Sequence, residues 1–196
     1  DGFCLSHRSI ENQPTWIGWG NSLDQNRFQD ESVSLINLEN ISNLKMKWVF
    51  GVPDAEKVRS QPSIAGGFLY FGTQSGLIYA LDAEVGCVRW TYKAKAEVRN
   101  SISIDLNQSN HPKDLYFGDF EGRIYRLDAL TGEEKWIRKP NAHPLTTITG
   151  SIAIFVKLLT PMEITELRIA CWVAPTLILL NLILDPLSLP FDLACI

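Results

Sequence analysis

The sequence predicts an all-β protein, because one pattern of short apolar runs and glycine turns occurs twice along the 196-residue chain. The first copy covers residues 69–90 and the second covers residues 115–136, 46 residues later at every position and without a gap. Both copies end in a tryptophan. Tandem units of about 40–50 residues, each too small to bury its own apolar faces, indicate a repeat architecture in which neighbouring units stack.

Each unit reads as four short antiparallel strands. In the first unit the sequence predicts strands at residues 63–64, 68–72, 77–81 and 87–92. Glycines stand in the intervening turns, where the backbone needs a positive φ. Four strands in a unit of about 40–50 residues are typical of a β-propeller blade.

The repeat extends beyond these two copies. Residues 58–64 match residues 98–104, so the polar stretch 107–113 is an insertion in a loop of the second unit. A third copy begins at residues 148–154. The chain therefore holds about three blades, whereas a closed propeller needs at least about four.

One tryptophan recurs at the same place in each unit. Trp48 ends a partial unit at residues 44–50, and it matches Trp90 and Trp136. A large aromatic side chain at one fixed place suits the wedge between two stacked blades. We expect these tryptophans to pack in the core between blades and not to stack on a ligand.

The pattern stops after about Phe155. No glycine occurs from residue 151 to the end, and residues 169–184 are nearly all apolar. We expect an irregular or helical apolar tail, whose abrupt change of composition resembles translation in a shifted reading frame. A membrane anchor is the alternative, but the run is shorter than the ~20 residues that span a bilayer and Pro175 interrupts it.

Composition limits the partners. The formal net charge is −4 and no basic run occurs, so we expect no nucleic-acid partner, and a membrane partner is not favoured either. The first residue is Asp1 and no signal peptide is visible, so we expect a processed chain or a fragment. The predicted organisation is an extension at 1–15, a partial propeller at 16–155 and the atypical tail at 156–196.

The cysteines give no metal motif. Cys4, Cys87, Cys171 and Cys195 are far apart and form no CxxC pair, so we predict no metal site. Cys4 lies near the start of the chain, where a loose terminus is expected. We therefore expect its thiol to be unligated.

Several of these motifs resemble a known family. The string Ala80-Leu-Asp82 followed by Gly86 and Trp90, and the matching residues 125–136, resemble the repeat of pyrroloquinoline-quinone (PQQ) proteins. Residues 16–29 resemble the entry segment of quinoprotein alcohol dehydrogenases, and most of all that of polyvinyl-alcohol dehydrogenases. Further similar segments are residues 44–51, 59–62, 86–90 and 143–150. The resemblance covers residues 14–154 and implies an N-terminal fragment of such an enzyme, built of PQQ-type blades.

The resemblance implies a function for the intact protein. Members of this family oxidise alcohols with PQQ and usually Ca²⁺, pass electrons to a cytochrome c, and are periplasmic or secreted. Their catalytic base and Ca²⁺ ligands come from later blades, so we can assign no catalytic residue here and expect this chain to be inactive and to bind neither cofactor. The alternative is a non-catalytic PQQ-like propeller that serves as a protein-binding scaffold.

Three residues are candidates for binding the cofactor: Arg59, Arg99 and Thr149. They hold equivalent places at the start of successive inner strands, which line the channel of a propeller. Arginines there could pair with the carboxylates of PQQ. Alternatively, the two arginines form ion pairs with Glu56 and Glu97 on the preceding turns.

Three aspartates are assigned structural roles. Asp82 and Asp128 recur at the same repeat position, so we expect them to cap turns and not to form a catalytic pair. Asp119 stands where the first copy has Thr73. We expect Asp119 to be a carboxylate in a surface loop.

Overall fold

The computed structural model describes most of the first 157 residues and two later segments. The described residues are 2–4, 14–21, 24–53, 57–107, 109, 111–157, 166–173 and 176–183. Before the first sheet lie one short helix, α1 (Glu31–Ser34), and one 3₁₀ turn (Ile41–Asn43). Asp30 caps α1 by accepting the backbone N–H of Ser32 at 2.8 Å.

Three antiparallel sheets follow one another along the chain. Blade 1 contains β1 (Ser63–Ala65), β2 (Phe68–Gly72), β3 (Leu77–Asp82) and β4 (Val88–Lys93). Blade 2 contains β5 (Ser103–Leu106), β6 (Pro112–Gly118), β7 (Ile124–Asp128) and β8 (Glu134–Arg138). The third sheet contains β9 (Ile152–Lys157), β10 (Glu166–Val173) and β11 (Thr176–Ile183).

The predicted all-β fold of propeller blades is confirmed. Blades 1 and 2 have the same order of strands, from the innermost to the outermost. Even their irregularity repeats, because the register between the third and fourth strands shifts at Ala80/Leu81 in blade 1 and at Arg126/Leu127 in blade 2. The repeated sequence pattern therefore gives the same strand pairing in both blades.

The tail departs from the expectation of an irregular or helical segment. Its described residues form β10 and β11, which pair antiparallel with each other and extend the sheet from β9. A short apolar run fits a buried strand as well as a helix, and periodicity alone does not distinguish the two. The third sheet thus has three described strands, where four were expected.

The main core lies between blades 1 and 2. Tyr70 and Trp90 of blade 1 reach across to blade 2, where both donate hydrogen bonds to the carbonyl of Ala129 at 3.1 Å. The predicted packing role of Trp90 is thereby confirmed. The buried apolar residues of this core include Ala65, Ile78, Val98, Ile102, Ile104, Leu115, Phe117, Tyr125 and Leu127.

The innermost strands are linked by serine hydroxyls. Ser63 Oγ donates to the carbonyl of Ile102 at 2.5 Å, and one repeat later Ser103 Oγ donates to the carbonyl of Ile152. The entry segment lies against the same strands, since Trp16 and Ile64 exchange backbone hydrogen bonds of 2.7 and 2.8 Å. These bonds fix the innermost strands next to one another.

The expectation of a loose terminus around Cys4 is wrong, because Cys4 forms a disulfide with Cys87. Phe3 pairs in parallel with Val88 of β4, the outermost strand of blade 1. The backbone N–H of Cys4 donates to the carbonyl of Val88 at 2.9 Å. The first residues thus add to the outer edge of blade 1, which brings together two cysteines 83 positions apart.

Candidate functional site

The three predicted binding residues lie just before the innermost strands of three successive sheets. Arg59 precedes β1, Arg99 precedes β5 and Thr149 precedes β9. Their neighbours are hydrogen-bonded to one another: Ser60 Oγ donates to the carbonyl of Asn100 at 2.7 Å. Asn100 Nδ2 in turn lies 3.4 Å from the carbonyl of Ile148. The three positions therefore form an arc on one side of the inner strands.

Arg99 is already paired. Its guanidinium lies 2.7 Å from one oxygen of the Glu97 carboxylate (Nε to Oε1) and 2.8 Å from the other (Nη2 to Oε2). The cation also lies over the ring of Phe120, 4.0 Å from the ring centroid. The hydrogen bond to Glu97 raises the pKa of Arg99 above its ordinary value. The structure thus forms the alternative ion pair for Arg99.

Arg59 and Thr149 are both exposed. Arg59 forms no ion pair with any residue that the structure describes, and Glu56, its expected partner, lies outside the described residues. An exposed guanidinium and an exposed hydroxyl at neighbouring strand starts can bind the carboxylates of an anionic ligand. Within the described part of the chain, Arg59 is thus the cation of this arc that has no ion-pair partner.

Two polar atoms near the inner strands form no hydrogen bond within the described part of the chain, and no sequence motif singles them out. The indole Nε1 of Trp16 and the amide Oε1 of Gln61 are buried and form no hydrogen bond with a described residue. Trp16 pairs with the innermost strand β1, and Gln61 lies two residues before that strand. A donor and an acceptor without partners at this place suit contact with a polar ligand.

The expectation that Asp119 is a surface carboxylate is wrong, because its side chain is fully buried. One carboxylate oxygen accepts the backbone N–H of Arg123 at 2.9 Å, and the other accepts the hydroxyl of Tyr125 at 2.7 Å and the guanidinium of Arg123 at 2.9 Å. Thr73 holds the equivalent turn of blade 1 with its hydroxyl, which accepts the N–H of Leu77 at 2.9 Å. Asp119 is therefore a structural residue of the turn.

Asp82 and Asp128 cap turns, as predicted. Asp82 Oδ1 accepts the backbone N–H groups of Glu84 and Val85, and Asp128 repeats this arrangement one unit later. Asp82 also pairs with the buried guanidinium of Arg89. Burial acts to raise the pKa of Asp82, but the hydrogen bonds from Arg89 and the turn outweigh it and lower the pKa below the ordinary 3.8.

A buried charged cluster distinguishes blade 2 from blade 1. The Asp114 carboxylate is fully buried and lies 2.6 Å from Nη2 of Arg126 and 2.5 Å from Nζ of Lys135. Asp105 lies opposite Asp114 in the register of β5 and β6. Burial raises the pKa of Asp105, and the charge of Asp114 raises it further. Because two basic groups already neutralise Asp114, this cluster contributes to the packing of blade 2.

The described residues contain one group with the side-chain types of a metal site. The ligand atoms of Cys4, Asp82 and Cys87 lie within 4.8 Å of one another. Both sulfur atoms belong to the disulfide, so neither is available as a thiolate ligand. Within the described part of the chain, no helix has both the length and the apolar character needed to span a bilayer.

The sequence matches one protein family over more than half of its length. Residues 16–134 match the family described as "Glucose/ethanol/alcohol dehydrogenase, beta-propeller domain" (PQQ). Two polyvinylalcohol dehydrogenases are similar: that of a Pseudomonas species is 34% identical over 89 residues, and that of a Sphingopyxis species is 35% identical over 86 residues. The matches cover 45% and 44% of this chain but only 13% and 12% of the relatives.

Solved structures with the same fold include two quinohemoprotein alcohol dehydrogenases. The enzyme from Comamonas testosteroni superposes with a TM-score of 0.59 and 21% identity over 83% of this chain and 26% of its own. The enzyme from Pseudomonas putida superposes with a TM-score of 0.61 and 20% identity over 89% of this chain and 28% of its own. At these identities the likeness concerns the fold.

Proposed function

Because the chain belongs to the PQQ β-propeller family of glucose, ethanol and alcohol dehydrogenases, we propose that these blades form the N-terminal part of a quinoprotein that oxidises alcohols. The similarity to two polyvinylalcohol dehydrogenases favours a substrate of that class. The observation that supports the proposal is the arc of inner-strand starts, at which Arg59 is exposed and has no ion-pair partner among the described residues.

PQQ and Ca²⁺ are the cofactors we propose for the intact protein. When bound, PQQ supplies an ortho-quinone that accepts two electrons and two protons from the alcohol. Arg59 would hold a carboxylate of the cofactor and Thr149 would donate a hydrogen bond to it. Arg99, already neutralised by Glu97, would present the face of its guanidinium and would contribute less to binding.

The catalytic base and the Ca²⁺ ligands belong, in this proposal, to blades outside residues 16–155. We therefore propose that the 196-residue chain is inactive alone and that residues 16–155 form the propeller part, with a separate extension at 1–15 and a tail at 156–196. The Cys4–Cys87 disulfide supports a periplasmic or secreted location, because disulfides persist in oxidising compartments. A cytochrome c is the proposed electron acceptor.

A chimera tests the proposal. Residues 16–155 would replace the corresponding blades of the Pseudomonas polyvinylalcohol dehydrogenase, and alcohol-dependent reduction of a dye would be measured with added PQQ and Ca²⁺. We expect activity in the chimera and none in the 196-residue chain. Turnover by the short chain would contradict its proposed inactivity.

The binding role of Arg59 has a matched control. In the chimera, Arg59→Ala should weaken PQQ binding by about tenfold or more, since a charge-assisted hydrogen bond contributes about 1.5–3 kcal/mol. Lys57→Ala removes another exposed cation two residues away and should change binding little. A folded chimera that binds no PQQ would favour the alternative of a protein-binding scaffold.

A further inference from the structure

The outer edge of blade 1 brings together two sulfur atoms and a carboxylate. The ligand atoms of Cys4, Asp82 and Cys87 lie within 4.8 Å of one another. Asp82 is buried, whereas both cysteines are only partly buried, so the group lies at the protein surface. The two sulfur atoms are joined in a disulfide. Its reduction would release two thiols beside a carboxylate.

Backbone hydrogen bonds hold these three residues in place independently of the disulfide. The N–H of Cys4 donates to the carbonyl of Val88 at 2.9 Å, and the N–H of Val88 donates to the carbonyl of Gly2 at 2.7 Å. The N–H of Asp82 donates to the carbonyl of Cys87 at 2.8 Å. Because no sulfur atom takes part in these bonds, we expect the two thiols to remain neighbours after reduction.

The geometry suits a tetrahedral cation. Two sulfur ligands, each about 2.3 Å from Zn²⁺, lie about 3.8 Å apart. The Cα atoms of Cys4 and Cys87 are 5.3 Å apart, so rotation about the Cα–Cβ bonds can give this separation. Oδ2 of Asp82 accepts a hydrogen bond from Arg89 and keeps a second lone pair for a cation. Three protein ligands leave the fourth position to water.

The charges of the group match a divalent cation. Two thiolates and the Asp82 carboxylate carry three negative charges, and the guanidinium of Arg89, which pairs with Asp82, offsets one of them. A divalent cation neutralises the remaining two. Thiolates are soft ligands that select Zn²⁺ and similar cations, whereas Ca²⁺ and Mg²⁺ prefer oxygen ligands.

We propose that Cys4, Cys87 and Asp82 bind a thiophilic divalent cation such as Zn²⁺ when the disulfide is reduced. Two molecules of a thiol reductant become a disulfide, and the two cysteines gain two electrons and two protons and become thiols. Binding of the cation then releases the two thiol protons. The cation and the disulfide exclude each other, so the metal-bound form belongs to the chain before the disulfide closes or after it is reduced.

A cadmium titration of the full 196-residue chain tests the proposal. With Cys171→Ala and Cys195→Ala in place, a thiolate signal can come only from Cys4 and Cys87. After reduction with a phosphine and its removal without oxygen, we expect one Cd²⁺ per chain with an ultraviolet thiolate charge-transfer band, and Zn²⁺ competing for the site. The oxidised chain should show no such band. A folded, reduced chain without the band would overturn the proposal.

Asp82→Asn has a matched control in Asp128→Asn. Asp128 caps the equivalent turn of blade 2, where Glu133 stands in place of Cys87. Asp82→Asn should weaken Zn²⁺ binding by about tenfold or more, since the loss of even an outer partner of a ligand costs roughly 10–100-fold. Asp128→Asn should leave the affinity unchanged, although it alters the same kind of turn. Equal affinities in the two variants would exclude Asp82 as a ligand.

The rate of disulfide formation gives a second readout that leaves all three ligands unaltered. In the chain with Cys171→Ala and Cys195→Ala, a small disulfide reagent reoxidises the reduced Cys4 and Cys87. Saturating Zn²⁺ should slow this reaction by about tenfold or more, because the thiolate that attacks the reagent is bound to the cation. Ca²⁺ at the same concentration should have no effect. Reoxidation at one rate with and without Zn²⁺ would refute the shared site.

Discussion

The indole ring of Trp90 lies so close to Gly132 that a Cβ built on this glycine would be 2.6 Å from the ring atom Cδ2. The backbone φ of Gly132 is +74°, in the left-handed region. Trp48 and Gly86 repeat the same distance and the same φ one unit earlier. The glycine in the turn before each outer strand thus has two roles: it reverses the backbone direction, and it contacts the tryptophan ring of the preceding unit.

Gly132→Ala should destabilise the fold by about 2–5 kcal/mol. A left-handed backbone costs an L-residue roughly 1–2 kcal/mol, and the added methyl group overpacks the site by roughly 1–3 kcal/mol. Denaturant unfolding measures the change. Gly51→Ala is the control, because a Cβ at Gly51 would meet nothing within 4 Å. Equal stability of the two variants would contradict the close contact between Trp90 and Gly132.

Tyr70→Phe and Tyr116→Phe should differ although both tyrosines are fully buried and hold the same repeat position. The hydroxyl of Tyr70 donates to the carbonyl of Ala129, so its loss should cost about 0.5–1.5 kcal/mol. The hydroxyl of Tyr116 has no hydrogen-bond partner among the described residues. Its removal should leave stability unchanged or increase it.

The comparison is internally controlled, since both substitutions remove the same atom from a buried ring. Thermal unfolding of the two variants in one buffer gives the difference directly. If Tyr116→Phe costs as much as Tyr70→Phe, the Tyr116 hydroxyl has a partner, and the contact between blade 2 and the third sheet must be described differently.

Reduction of the Cys4–Cys87 disulfide should lower the free energy of unfolding by about 4 kcal/mol. The bond closes a loop of 83 residues, and a loop of this length strongly restricts the unfolded chain. Unfolding with and without a thiol reductant measures the loss. Cys4→Ser/Cys87→Ser should show the reduced stability from the start and should not respond to reductant. A response in that variant would place the sensitive bond elsewhere.

Stability should depend on pH with opposite signs at Asp82 and Asp105. The pKa of Asp82 is lowered in the folded protein, so its stabilising contribution is complete above the ordinary 3.8 and is lost as the pH falls through the lower folded value. The pKa of Asp105 is raised by burial. Folding therefore favours its protonated form, and stability falls as the pH rises from 3.8 through the folded pKa.

Two amide variants separate these effects. At neutral pH, Asp82→Asn should destabilise by about 1.5–3 kcal/mol, because it removes a hydrogen bond between charged groups. Asp105→Asn should stabilise the protein, since it removes a partly buried charge opposite Asp114. Urea unfolding between about pH 3 and pH 7 gives both slopes. If both substitutions changed the pH dependence of stability in the same direction, the opposite pKa shifts of Asp82 and Asp105 would be contradicted.

The sequence predicted blade 1 to within one residue at most strand ends. Turn glycines such as Gly76 and Gly86 made this possible, because their positive φ marks where each strand must stop. The disulfide was not predictable, since its cysteines meet only after residues 2–4 pair with β4. Such a contact between residues far apart in the chain produces no periodic pattern in the sequence.

The site was less predictable than the fold. The equivalence of Arg59, Arg99 and Thr149 follows from the repeat. The sequence also offered the ion pair of Arg99 with Glu97 as an alternative, but the choice between the two roles depends on side-chain geometry that a repeat does not encode. The burial of Asp119 had a detectable signal. Asp119 replaces Thr73, whose hydroxyl accepts a backbone N–H in the same turn of blade 1. Because this turn position recurs in both blades, it predicts a structural carboxylate and not an exposed one.

The hydroxyls that link the inner strands point in one direction along the chain. Ser63 reaches forward to the next unit, and Ser103 does the same, but the third copy has Ala153 at this position. No bond of this kind can be passed on to a fourth neighbour. A junction between the third sheet and any sheet beyond it would therefore lack this serine hydrogen bond, so we expect it to open before the junctions that have one.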